Sequence, residues 1–86
     1  MERNSECMSL GQMFKLIAEW RDSGQSPEFT LARIAYFEEF SIDVRKKAIN
    51  VVYFDPAFSN ARGHPLLSEI FRTCLYGPRE PFKPLK

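Results

Sequence analysis

The side chains best able to do chemistry are few and far apart. One histidine, His64, and two cysteines, Cys7 and Cys74, are the imidazole and thiol groups of the 86-residue chain. A nucleophilic thiol needs a base within hydrogen-bond reach. Read on one helix rising 1.5 Å per residue, His64 and Cys74 lie about 15 Å apart, which excludes a dyad. No CxxC pair or Cys/His cluster has zinc-ligand spacing. Cys7 falls in the polar leading segment and Cys74 on an apolar helix face, so the two read as reduced, independent thiols of a cytosolic protein. His64, beside Pro65, reads as a helix-start residue or a solvated one.

Glu38 and Glu39 are the one adjacent pair of carboxylates. Neighbours on a helix point about 100° apart and do not face each other, so the pair reads as a solvated helix end. A Gly-rich phosphate loop and a nucleophile elbow are both missing. The sequence therefore predicts no catalytic residue, no metal site and no cofactor, and the chain is not expected to be an enzyme.

Binding is the chemistry that remains. Arg45, Lys46 and Lys47 form the one basic run, and their position at the start of a helix after a turn invites comparison with a helix-turn-helix. In that register Glu39 stands where glycine is usual and Arg45 where a β-branched residue is usual, and cations at a helix start oppose the dipole. The end of the chain repeats PxxPxK twice, from Pro78 and from Pro81. Aromatic-lined proline-recognition grooves accept such a pattern, but the match is short and common by chance, and the favoured reading is that the tail runs along its own bundle and docks Phe82 and Leu85 there.

Charge and aromatic content add to this. Net charge is +1, yet residues 1–40 carry four basic and seven acidic side chains (−3) and residues 41–86 eight and four (+4). That split suggests one acidic and one basic face without the excess of a dedicated nucleic-acid binder. Eight Phe, three Tyr and one Trp are many rings for a domain this small to hide, so some are expected at the surface, where aromatics anchor interfaces.

These residues must be positioned by helices. Ser9 with Gln12 reads as a capping box and Met8 with Met13 as a staple, opening a helix over 9–22 that Gly24 can end in a left-handed conformation. Ser26, Pro27 and Glu28 open a second over 27–40, apolar on most sides. Residues 42–54 fit a third, although the β-branched and aromatic run 49–54 would also suit a strand, leaving a three-helix arrangement as the alternative. Asp55–His64 reads as a long loop, and 65–76 as a last amphipathic helix stopped by Gly77 and Pro78. No stretch approaches the about 18 apolar residues of a membrane span, and the start does not resemble a signal peptide, so a cytoplasmic protein is expected.

The expected fold is an all-α small bundle of about four short helices: a disordered tail over 1–8, one helical domain over 9–77 and an extended Pro-rich tail over 78–86. The expected function is a non-enzymatic protein-binding module, an inhibitor or adaptor that occupies a partner's surface. Phage- or plasmid-encoded inhibitors of host machinery work this way, an analogy of mode only. The residues expected to meet the partner are Trp20, Tyr36, Phe40, Arg45, Lys46, Lys47, Phe58, Arg62 and Phe82. The alternative is a helix-turn-helix-like DNA-binding regulator using Arg45–Lys47, and homodimerisation through the second helix is a further possibility; no membrane partner is expected.

Overall fold

α1 runs from Glu2 to Asp22 in the computed structural model, which describes residues 2–76, with side chains from Ser5 onward. Leu10, Met13, Phe14, Ile17 and Ala18 form its buried stripe, the spacing of one helix face. The helix ends in a Schellman motif: Gln25 N–H donates to Trp20 O, Gly24 N–H donates to Arg21 O, and Gly24 takes φ +86°. A left-handed residue there is what lets glycine satisfy the last carbonyls.

The start of α1 corrects two expectations. Ser9 lies inside the helix rather than capping it, and the segment expected as a disordered tail is helical from Glu2. The cause is long-range, because Cys7 is fully buried and bonded to Cys74, with a Cα–Cα distance of 5.5 Å. The two sulfurs are therefore a disulfide rather than independent thiols. A bond across a sequence separation of 67 limits the unfolded chain, an effect of about 4 kcal/mol in the chain-entropy account.

α4 (Gly63–Tyr76) carries the other half of that bond. It buries Leu66 and Ile70 and approaches α1 closely, since a Cβ added at Gly11 would sit 2.9 Å from Leu67 O. A larger residue at position 11 would push the two helices apart. α4 begins two residues before Pro65, at Gly63, whose φ is +64°.

α2 (Pro27–Arg33) starts as its sequence dictates, with Ser26 Oγ accepting from Phe29 N–H at 3.1 Å and Pro27 in the first turn. It stops at Arg33, seven residues short of the expected end. Beyond it the backbone makes turn bonds, Phe37 N–H to Ile34 O and Phe40 N–H to Phe37 O. An apolar run that surrounds a helix cannot all face one core. Breaking the helix sends Ile34 and Phe37 inward and leaves Ala35 and Tyr36 outside.

α3 (Ile42–Phe54) is a helix throughout, capped by Ser41 Oγ on Val44 N–H at 3.2 Å. Ala48, Ile49 and Val52 fill the core from one face, and that packing outweighs the strand preference of the β-branched run. Asp55 ends α3 and its Oδ1 accepts from Ala57 N–H, opening a 3-10 turn over Pro56–Phe58. The expected loop is thus partly ordered, and Phe58 is fully buried with its ring centroid 6.4 Å from that of Phe14. Phe58 is a core residue rather than a partner-binding one, because the turn points it at α1. The four helices form an all-α small bundle, with no strand among the described residues. The expected Pro-rich tail, with Phe82, lies outside the described residues. No helix among them is long and apolar enough to cross a membrane.

Two polar clusters lock these elements. Arg21, on the last turn of α1, donates from Nη1 to Val52 O and Phe58 O and from Nη2 to Ala61 O, each at 2.9 Å. Val52 O is one of the α3 carbonyls that has no acceptor role within its own helix. Arg21 Nε donates to Asp22 Oδ1 at 3.0 Å, and Asp22 Oδ2 meets Arg62 Nε at 2.9 Å. The Arg21 hydrogen bond, aided by the charges of Arg21 and Arg62, holds the Asp22 carboxyl below its ordinary value. In the second cluster Tyr53 Oη donates to Gln25 O at 2.8 Å and takes a bond from buried Thr30 Oγ1 at 2.6 Å, which ties α3 to the α1–α2 connection.

Replacing Arg21 by Met strands the Val52 and Ala61 carbonyls, while Phe58 O keeps its bond from Ala61 N–H, and is expected to lower unfolding free energy by about 2–3 kcal/mol in urea titrations; Arg21→Lys recovers only part, since an ammonium lacks the planar fork. Tyr53→Phe is expected to cost about 1–2 kcal/mol by the same measurement, because Thr30 loses its partner. The Asp22 contribution is present above the ordinary aspartate value and fades as pH falls through the lower folded one. Wild type should therefore exceed Asp22→Asn in stability at neutral pH, with the gap closing in acid.

Candidate partner-binding surface

The break at the end of α2 builds the most distinctive surface. Ile34 is fully buried and Phe37 nearly so, so the turn between them is clamped from inside. Tyr36 is forced outward, 65% exposed, with its ring stacked on Phe37 at 4.6 Å between centroids. That stack restricts an exposed ring to one orientation, which lowers the entropy lost when a partner covers it.

Tyr36 forms one side of an open groove of about 350 Å³. Leu16 from α1, Phe37 and Leu67 from α4 supply its apolar surface, and Gln12, Lys15 and His64 its polar groups. Lys15 is steadied by Glu19 one turn on, at 2.9 Å. An apolar floor with a polar margin is the composition of a binding patch. Cys74 is bonded to Cys7 and offers His64 no thiol, and no group of three or more His, Cys, Asp or Glu converges among the described residues.

The other expected contact residues are dispersed. Trp20 is half-buried and meets Phe29 edge-on at 5.6 Å, while the Arg33 guanidinium lies 4.7 Å above the Phe29 ring. Trp20 thus completes the α1–α2 contact. Phe40 packs partly into the core and its carbonyl accepts from Arg45 Nε at 3.1 Å. Arg45 is half-buried by that bond, whereas Lys46 and Lys47 remain exposed. Lys46 borders a second shallow groove with Glu28 and Leu31. Arg62 is exposed and paired with Asp22. The connection over 34–41 is longer than the roughly 3–4-residue turn of a helix-turn-helix.

Sequence reasoning named Tyr36 but missed Gln12, Lys15 and the placement of His64 against it. Gln12 and Lys15 flank the buried stripe of α1, and nothing local distinguishes them from other solvated residues. Exposed Phe54 lies in the run 49–54 that also suits a strand, and Tyr76 falls outside the apolar repeat of the last helix; each sits at a helix C-terminal end.

No family model matches the chain, and no curated protein or solved structure matches it.

Proposed function

We propose that this chain is a non-enzymatic protein-binding module that inhibits or adapts a partner by covering its surface, using the groove beside Tyr36. The observation that carries the reading is the exposed Tyr36 ring, held on buried Phe37 at the edge of an apolar-floored groove. Tyrosine is enriched among the few residues that dominate interface energies, and a preorganised ring binds at reduced cost. The groove is far smaller than the about 800 Å² that each side of a standard interface buries, so contacts extend onto neighbouring residues. The Cys7–Cys74 bond favours an oxidising compartment over the cytoplasm as the place of action.

Nucleic-acid binding through the basic run has less support. Arg45 is engaged with the Phe40 carbonyl, which leaves Lys46 and Lys47 as its exposed members.

A photo-crosslinking side chain at position 36 should capture the partner in the host, a second copy of the chain included. With that partner purified, Tyr36→Ala is expected to weaken binding at least about tenfold by calorimetry while circular dichroism and melting stay unchanged. Lys46→Gln with Lys47→Gln should leave affinity nearly as it was. Affinity insensitive to Tyr36→Ala, or DNA binding with a steep salt slope that the lysine changes abolish, contradicts the reading.

A further inference from the structure

The first two turns of α1 are anchored differently from the rest of the helix. Among side chains 5–9, Ser5, Glu6 and Met8 are exposed, Ser9 is half-buried and Cys7 alone is buried. The continuous apolar core begins at Leu10 and does not include Cys7, whereas Cys74 packs against it. Asn4, Ser5, Cys7 and Ser9 are all weak helix formers. From Leu10 onward the helix needs no such tether, because its buried stripe and the close Gly11–Leu67 approach already hold it to α4.

We propose that the Cys7–Cys74 disulfide is a redox latch: a dithiol reductant releases residues 2–9 from the helix while residues 10–76 keep their fold. The thiolate of the reductant attacks Cys74 Sγ, the sulfur of the less buried residue, forming a mixed disulfide and expelling the Cys7 thiolate, which takes a proton from solvent. The second thiol of the reductant then closes onto its own bound sulfur and releases Cys74 as a thiol. The protein gains two electrons and two protons, and the dithiol becomes a cyclic disulfide. Release converts a sealed bond into two thiols, with Cys7 on a solvated segment. The latch stands apart from the groove at Tyr36, so it does not rest on the binding function.

The test uses the full chain, isotopically labelled, before and after dithiothreitol, beside a Cys7→Ala, Cys74→Ala double variant. On reduction the Cα chemical shifts of residues 3–9 should move to coil values while those of Phe14–Ala18 and Ala48–Val52 stay in place, and the double variant should show the open pattern without reductant. Iodoacetamide, losing iodide as the S–C bond forms, should then label Cys7 as readily as Cys74 by mass spectrometry. Helical shifts retained at 3–9 after reduction, with Cys7 protected, overturn the proposal, because packing would then hold the segment. Collapse of the whole spectrum on reduction overturns it as well, since the bond would then hold the entire domain.

Discussion

The guanidinium of Arg21 gathers carbonyls from three consecutive stretches of chain: the end of α3, the 3-10 turn and the residue pair leading into α4. Short turn bonds such as Ser59 N–H to Pro56 O and Ala61 N–H to Phe58 O order these stretches locally, but they leave Val52 O and Ala61 O to the guanidinium, and a buried carbonyl without a donor is costly. With the fork in place the chain can turn sharply after Phe54, drive Phe58 into the core beside Phe14 and still deliver α4 to its position along α1. The planar geometry of arginine matters here, because one side chain must address acceptors lying in several directions. Asp22 keeps that fork oriented, and its second oxygen draws in Arg62 from the same connection.

The same division between local and distant causes explains what could be read from the sequence. Ser26, Ser41 and Gly24 act on backbone groups within a few residues, so the starts of α2 and α3 and the end of α1 were legible. Residues 42–54 were legible only in part, because Ala48, Ile49 and Val52 fit one helical face while the β-branched and aromatic run 49–54 suits a strand as well, and core packing decides it. The start of α1, the burial of Phe58 and the disulfide were not, because each depends on a residue tens of positions away. Arg21 illustrates the limit: in sequence it is one more cation at a helix C-terminus, favourable to the dipole, and nothing nearby marks it as the donor for residues 52–61. The early end of α2 was hidden for a related reason. A run of apolar residues gives no periodic cue to where a helix should break, and the core demand of Ile34 and Phe37 decides it.

That break links the fold to the surface. A helix continued to residue 40 would have spread Tyr36 and Phe37 over different faces, whereas the turn stacks one on the other and leaves the outer ring beside α1 and α4. Tyr36 was legible as a candidate, as an aromatic in a ring-rich chain. Its groove was not, since Gln12, Lys15, His64 and Leu67 come together only through the α1–α4 pairing that Gly11 permits.

The claim on which this account rests is that Arg21 orders the connection between α3 and α4. Backbone ¹⁵N relaxation of residues 56–62, compared between wild type and Arg21→Gln under conditions where both are folded, tests it most directly. The account predicts order parameters of about 0.85 in the wild type and below about 0.6 in the variant, with Phe58 losing its fixed contact to Phe14. Equal order in the two proteins would contradict it and assign the connection to the packing of Phe58 alone.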